Sequence, residues 1–221
     1  MKIGVVTIGQ SPRPDVVGEL SRILGKDHEF LEAGALDDYT LEDLKKVKTE
    51  PGEGVLVTRM RDGTEVKVTH GLVNPLLQKQ ITELEKNGVG LILLLCTGKF
   101  PNFKAKSLVV TPSEIVQGAI KASIRFGRMA SVLPSMQQIG GKPHWRESDG
   151  LSTYLDSASP YGTMDEIEKL ADRLDKQDLD LIVLNCMGFD HRMKERIKEK
   201  TGKPVIQSSS LVARFLQEFV S

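Results

Sequence analysis

Two stretches of the sequence repeat each other without a gap: residues 84–98, LEKNGVGLILLLCTG, and residues 174–188, LDKQDLDLIVLNCMG. Each stretch ends a helical pattern, runs through an apolar strand and then places a cysteine two residues before a glycine. The repeat predicts two similar half-domains, each with one of these strands at the centre of a parallel sheet. Ligands bind at the carboxyl ends of the strands in such sheets, so we expect Cys96 and Cys186 to flank a ligand site.

Short apolar runs alternate with helical periodicity along most of the chain. This pattern predicts an α/β fold made of two α/β/α half-domains with mainly parallel sheets, related by a pseudo-twofold. A β-hairpin interrupts the alternation, because Asp62-Gly63 lies between two strand-like runs, residues 55–60 and 64–68. Residues 134–162 are rich in Pro, Gly and Ser, which predicts a loop region that covers a cleft.

Helix starts are predicted at three places where a capping residue follows a break. Ser11 precedes Pro12, Thr111 begins a capping box with proline at the first helical position, and Thr163 begins a similar motif. The first of these places the loop after the first strand near residues 9–13.

Composition excludes several classes of function. The 221 residues contain 30 Lys plus Arg, 30 Asp plus Glu and 39% hydrophobic residues, so the chain can bury a core and carries no formal net charge. We therefore expect no nucleic-acid partner, which would need a net positive field. The opening MKIGVVTIGQ fits neither a signal peptide nor a membrane span, so we expect no membrane association. Two cysteines without an export signal then predict reduced thiols in the cytoplasm.

No cofactor and no metal are expected. The four histidines are scattered without paired ligand spacing. Neither a G-x-G-x-x-G sequence nor a P-loop follows the first strand, so a nucleotide-binding module has little support.

The two cysteines favour a chemical role because they occupy the same place in both repeats. A single cysteine at a strand end is more often a small buried apolar residue. With two, one thiolate removes a proton next to a carboxylate, and the opposing thiol supplies a proton to the other face of the carbon. Addition of one thiol to a double bond, followed by rotation, is an equally permissible use.

Several segments resemble the AroM family over essentially the whole chain: VVTIGQSPRPDVV, LLLCTG, NCMGFDHR and PVIQSSSLVARFL. The two cysteine turns are also similar to those of the aspartate/glutamate racemase superfamily, whose members place one catalytic cysteine after a central strand in each of two facing α/β domains. The resemblance implies that Cys96 and Cys186 are catalytic. It also implies a first domain of residues 1–110 plus 208–221 and a second domain of residues 111–207. No reaction is firmly attached to AroM proteins.

The chain departs from amino-acid racemases at two places. Its first loop carries Gln10, Ser11 and Arg13, where those enzymes have an acidic residue and serine. Cys186 is followed by Met187, where they have threonine. Groups that would bind an ammonium or tune the second thiol are therefore absent, which argues against amino-acid racemisation itself.

The candidate substrate-binding residues lie at predicted strand ends and turns: Thr7, Ser11, Arg13, Thr97, Gly98, Lys99, Ser135, Gly188, Ser208 and Ser209. Arg13 is placed to hold a carboxylate bidentately, with a surface position as the alternative. The amides of Thr97, Gly98 and Gly188 would stabilise an enolate-like charge. The serines before the last helix would bind an anion, although helix capping explains at least one of them.

Lys99 and His191 are the basic residues nearest to the cysteine turns in sequence. Either would favour a thiolate through its positive charge, and a plain surface position is the alternative for His191. Trp145, in the loop-rich stretch, packs over a cleft or anchors the loop.

These patterns predict a racemase-like enzyme that acts on a small carboxylate or dicarboxylate by cysteine-mediated proton transfer. Isomerisation, racemisation and decarboxylation all remain open. The alternative is a non-catalytic protein that binds a metabolite in the cleft between the half-domains, because polar partners beside Cys186 are missing. The apolar hairpin predicts a homodimer or packing on its own domain.

Overall fold

The computed structural model describes residues 1–25, 27–47, 54–148 and 150–220. The first half of the chain forms β1 (Lys2–Thr7), α1 (Pro14–Leu24), β2 (Glu29–Gly34), α2 (Leu41–Lys46), β3 (Val55–Arg59), β4 (Glu65–Thr69), α3 (His70–Lys86), β5 (Leu91–Leu94) and β6 (Leu108–Val110). The second half forms α4 (Pro112–Ser123), β7 (Gly127–Leu133), a short 3-10 helix (Met136–Ile139), β8 (His144–Ser148), β9 (Leu151–Ser157), α5 (Met164–Asp175), β10 (Leu181–Leu184), α6 (His191–Thr201), β11 (Val205–Gln207) and α7 (Ser208–Val220).

The two halves have the same strand order. The first sheet runs β2-β1-β5-β6, and the second runs β9-β7-β10-β11 with β8 added at its edge. All pairs are parallel except β8 with β9. The strands of the sequence repeat, β5 and β10, are fully buried and occupy equivalent positions. The predicted α/β class with mainly parallel sheets is confirmed.

Two helices cross between the halves. Val212, Ala213 and Leu216 of α7 pack in one buried cluster with residues of β1 and β5. Val116 of α4 packs with residues of β7 and β10. Each sheet is therefore covered by a helix that follows the last strand of the other sheet. The division into a first domain of residues 1–110 plus 208–221 and a second domain of residues 111–207 stays a prediction.

The β3–β4 hairpin forms as the sequence predicts. Its strands pair in antiparallel register from Val55 with Thr69 to Arg59 with Glu65. Its apolar side chains, such as Leu56, lie in the core of the first half. The hairpin therefore packs on its own domain, and the reason for expecting a homodimer there no longer holds.

One local prediction is wrong, and another is incomplete. Helix α1 begins at Pro14, with Arg13 at the capping position, instead of at Ser11. The amide and hydroxyl of Ser11 both donate to Asp37, at 2.7 Å each, so the serine is used elsewhere. The loop-rich region 134–162 also contains a 3-10 helix and the strands β8 and β9.

The other two helix starts lie where they were expected. Thr111 and Thr163 occupy the capping positions of α4 and α5, and neither side chain makes a capping hydrogen bond. The predicted capping box at Thr111 is therefore not formed, although Pro112 does begin the helix.

No helix within the described ranges is long and apolar enough to cross a membrane. The same ranges contain no group of three or more His, Cys, Asp or Glu side chains arranged to hold a metal ion.

Candidate active site

The two cysteine turns have the same local geometry. Cys96 and Cys186 each lie two residues beyond a buried central strand, and both are unpaired thiols in partly buried positions. The sulfur of Cys96 accepts the amide N–H of Gly98 at 3.4 Å, and the sulfur of Cys186 accepts that of Gly188 at 3.5 Å. A backbone donor aimed at sulfur favours the thiolate over the thiol. In this structure the amides of Gly98 and Gly188 therefore donate hydrogen bonds to the two sulfurs.

The two turns meet at the boundary between the halves. The hydroxyl of Thr97 donates to the main-chain carbonyl of Asn185 at 3.1 Å. Met187, which follows Cys186, is buried in the core cluster of β1 and β5, the cluster that also contains Leu95. Each cysteine therefore has a neighbour that is anchored in, or bonded to, the opposite half.

Arg13 lies buried beside the turns, and its guanidinium already has a carboxylate partner. Its Nε and Nη2 atoms donate to the two oxygens of Asp15 at 3.0 and 2.8 Å. The remaining contacts join Nη1 to the Thr7 hydroxyl and Nη2 to the Tyr161 hydroxyl, both at 3.2 Å. The bidentate face that was predicted to hold a substrate carboxylate is therefore occupied by Asp15.

Charges within this cluster stabilise each other. Burial alone would lower the pKa of Arg13, but the hydrogen bonds and charge of Asp15 raise it well above its ordinary value. Burial alone would raise the pKa of Asp15, but Arg13, helped by Arg59, holds it below its ordinary value. Both groups are therefore ionised at neutral pH.

Both thiols are protonated at neutral pH in this structure. Burial raises the pKa of Cys96 to about 12, and the proximity of Cys186 adds to this rise. Burial also raises the pKa of Cys186. The glycine amides and the charge of Arg13 oppose burial at both sulfurs.

The cation that acts on both thiols is Arg13, not the two residues predicted from sequence. Lys99 is exposed and lines a cavity of about 490 Å³ beside the segment from β5 to α4. His191 is also exposed, and its Nδ1 lies 3.9 Å from a carboxylate oxygen of Glu195. His191 is thus the surface residue that was the alternative prediction.

Three of the predicted serines are used inside the protein. Ser208 and Ser209 are fully buried, and their hydroxyls donate to the carbonyls of Leu184 and Phe189 at 2.8 and 3.0 Å. Ser135 caps the 3-10 helix, because its hydroxyl accepts the amide of Gln137. These hydroxyls stabilise the ends of strands and helices.

Trp145 anchors the second sheet. It lies on β8, with its ring centroid 5.3 Å from that of Tyr154 and 4.5 Å from the Cζ atom of Arg128. The anchoring alternative is the one that these contacts support.

The β3–β4 hairpin packs beside both cysteine turns. A methyl group added at Gly98 would lie 3.1 Å from Leu56 of the hairpin. Arg59 of the hairpin has its Cζ atom 5.7 Å from the ring centroid of Tyr161. Glu65, opposite Arg59 in the hairpin, accepts a hydrogen bond from Ser159 in the second half. The hairpin thus connects the two halves next to the cysteines.

Four residues of this cluster were missed by sequence reasoning: Asp15, Arg59, Glu65 and Tyr161. Asp15 stands two positions after Arg13, and that spacing is the one signal in the sequence that points to an ion pair. Tyr161 is 148 residues from Arg13, so no local pattern connects them.

A protein-family model described as "AroM protein" matches residues 3–220 of this chain. The chain belongs to the AroM family. No curated protein matches the sequence of this AroM-family chain.

Solved structures with the same fold are distant in sequence. An allantoin racemase from Klebsiella pneumoniae is 14% identical with a TM-score of 0.59, and the match covers 100% of this chain and 87% of that one. A liganded arylmalonate decarboxylase mutant is 17% identical with a TM-score of 0.62, covering 99% and 92%. A maleate cis-trans isomerase from Nocardia farcinica, bound to TRIS, is 15% identical with a TM-score of 0.61, covering 99% and 92%. The AroM-family chain thus has the fold of the racemase-like proteins.

Proposed function

We propose that this protein catalyses proton transfer at a carbon next to a carboxylate, in an isomerase, racemase or decarboxylase type of reaction, with Cys96 and Cys186 as the acid and base. One observation carries the proposal. Two thiols stand at equivalent strand ends of two similar sheets, and the hydrogen bond from Thr97 to Asn185 holds their turns together. The solved proteins of this fold include a racemase, an isomerase and a decarboxylase, which supports the same class.

The reaction conserves protons between the two thiols. The thiolate of one cysteine takes the proton from the substrate carbon and becomes a thiol, while the electron pair of the C–H bond moves toward the carboxylate. The other cysteine gives its proton to the opposite face of that carbon and becomes the thiolate. In a decarboxylation, loss of carbon dioxide supplies the electron pair, one thiol protonates the carbon and becomes a thiolate, and a proton from solvent water then restores that thiol. Each turn is equipped for a thiolate by its glycine amide, Gly98 or Gly188.

Formation of the first thiolate is the costly step. Burial holds both thiols protonated in the free protein, and Arg13 is the buried cation that opposes this effect at both sulfurs. The base therefore becomes available more readily as the pH rises. We expect the rate of proton exchange to increase with pH across the neutral range, because the pKa of Cys96 lies near 12.

A non-catalytic metabolite-binding protein is the second candidate. It is favoured by the ion pair between Arg13 and Asp15, because the Asp15 carboxylate opposes the effect of Arg13 at Cys186, and by the protonated state of both cysteines. Such a protein would use the same turns to bind a small carboxylate without breaking a C–H bond.

Proton NMR in D2O of a pool of 2-substituted carboxylates and dicarboxylates separates the two candidates. Loss of one α-proton signal with the wild-type protein, and its persistence with the Cys96→Ala/Cys186→Ala double variant, is the result that the catalytic proposal predicts. Line broadening of a carboxylate without exchange, equal in both proteins, would establish a binding protein instead.

A further inference from the structure

We propose that Arg59, on the hairpin, binds the substrate carboxylate. The inference rests on the proposed function in one respect, because the ligand is taken to be a carboxylate that lies between the two cysteine turns. Arg59 takes the role that sequence patterns assign to Arg13.

Arg13 is unsuited to that role in this structure. Its side chain is only 4% exposed, and Nε and Nη2 are bonded to the two carboxylate oxygens of Asp15. A substrate carboxylate would have to displace Asp15 from a buried guanidinium. Arg13 therefore places a positive charge near the two thiols, and its hydrogen bonds hold Thr7 and Tyr161 in position.

Arg59 has the properties that Arg13 lacks. Its side chain is 29% exposed, so a ligand can reach it from solvent. Its ion pair with Asp15 is 3.8 Å long, which is beyond hydrogen-bond distance. A guanidinium has five N–H donors in a planar fork that matches a carboxylate, and such pairs are charge-assisted. The guanidinium is also held near the ring of Tyr161, which orients it without using those donors.

The location of Arg59 connects it to the cysteines. Tyr161, beneath the guanidinium, lies against the Cys186 turn, because a methyl group at Gly188 would be 3.1 Å from its Cε1 atom. Leu56, three residues earlier on the same strand, lies against Gly98 in the Cys96 turn. Arg59 is therefore connected to the Cys186 turn through Tyr161, and to the Cys96 turn through the strand that carries Leu56.

The hairpin is held in this place from the opposite half. Gln138 donates its side-chain amide to the carbonyl of Val55 at 3.0 Å, and Ser159 donates to Glu65. The first residue of β3 and the first residue of β4 are thus both bonded to residues of the second half. This arrangement fixes Arg59 relative to Cys186 as well as to Cys96.

Calorimetric titration tests the inference without requiring turnover. Malonate, succinate and maleate are titrated into the wild-type protein, Arg59→Gln, Arg59→Lys and the matched control Lys67→Gln. Lys67 is an exposed cation on β4 of the same hairpin. We expect the tightest of the three probes to bind Arg59→Gln at least about tenfold more weakly than wild type, with partial recovery in Arg59→Lys. Lys67→Gln should bind like wild type, and the neutral analogue succinamide should show no dependence on Arg59.

The outcomes distinguish this inference from the proposed function. Affinity of Arg59→Gln within twofold of wild type, or no saturable binding of any probe to wild type, overturns the role of Arg59. Binding that depends on Arg59 and persists in the Cys96→Ala/Cys186→Ala variant, without α-proton exchange in wild type, supports Arg59 and refutes the catalytic proposal. If Arg59→Gln does not fold, Arg59→Lys decides, because it keeps the charge and loses the bidentate fork. Its affinity must then be several-fold weaker than that of wild type.

Discussion

The hydroxyl of Thr97 donates a hydrogen bond of 3.1 Å to the carbonyl oxygen of Asn185, the residue before Cys186. This contact crosses from one half of the protein to the other and joins the two turns that carry the thiols. It therefore sets the spacing on which any chemistry that uses both cysteines depends.

Replacement of Thr97 by valine keeps the shape of the side chain and removes this donor. We expect a loss of about 1 kcal/mol in the free energy of unfolding, because the partly buried carbonyl of Asn185 loses its partner. Urea denaturation measures the change. Thr97→Ser keeps the hydroxyl and should remain within a few tenths of a kcal/mol of wild type; a loss in Thr97→Ser without one in Thr97→Val would show that the methyl group, not the hydrogen bond, matters.

Replacement of Asp15 by asparagine removes the charge partner of the buried Arg13. We expect a loss of about 3 kcal/mol in stability, because an uncompensated guanidinium remains in the interior. Asp178→Asn is the matched control, since its pair with Arg128 is solvent-exposed and should contribute less than about 1 kcal/mol. Similar denaturation midpoints for the two variants would contradict the assignment of Arg13 and Asp15 as a buried pair.

The raised pKa of Cys96 predicts a loss of stability at alkaline pH. Below the ordinary thiol pKa of 9.0, the folded and unfolded chains both hold the proton. Between pH 9.0 and about 12 only the folded chain holds it, so the stability contributed by this thiol falls as the pH rises. The slope is at most about 1.4 kcal/mol per pH unit for one thiol.

The difference between wild type and Cys96→Ala isolates this effect from other alkaline titrations. Between pH 8 and pH 10, the unfolding free energy of wild type should fall more than that of Cys96→Ala, so that the values for the two proteins converge. A difference that stays constant with pH would mean that the Cys96 thiol titrates normally in the folded protein.

Gly188 permits the close approach of the second half to the Cys186 turn. An added methyl group would lie 3.0 Å from Pro160 and 3.1 Å from Tyr161, so Gly188→Ala should displace the Tyr161 segment. We expect weaker carboxylate binding with a stability loss of about 1–3 kcal/mol, the usual cost of overpacking. At Gly90 no atom lies within 4 Å of such a methyl group, and Gly90→Ala should leave binding unchanged. Unchanged carboxylate binding in both variants would show that the position of Tyr161 does not affect the binding site.

The fold could be predicted further than the site. The repeated strands and the Asp-Gly turn are local patterns, and they correctly predict β5, β10 and the hairpin. The partner of Ser11 is Asp37, which lies 26 residues away. Because Ser11 bonds to Asp37, it does not cap α1, which begins at Pro14. A capping motif at Ser11 does not indicate that a distant carboxylate such as Asp37 will bind the serine.

Two of the predicted binding residues have other partners for a related reason, and their role in binding stays a prediction. Ser208 and Ser209 resemble an anion-binding turn, but their hydroxyls satisfy carbonyls that only the folded sheet brings close. The position of Arg59 over Tyr161 depends on the packing of the hairpin against the second half, so neither local spacing nor composition indicates it.

In the proposed reaction, both thiols exchange protons with one substrate carbon. The most direct measurement is the rate of α-proton exchange in D2O for the compound that wild type exchanges fastest, compared among wild type, Cys96→Ser and Cys186→Ser. This reaction predicts that each single variant slows α-proton exchange by about 10²-fold to 10⁴-fold, because each variant removes one acid or base. A wild-type rate in either single variant would contradict it.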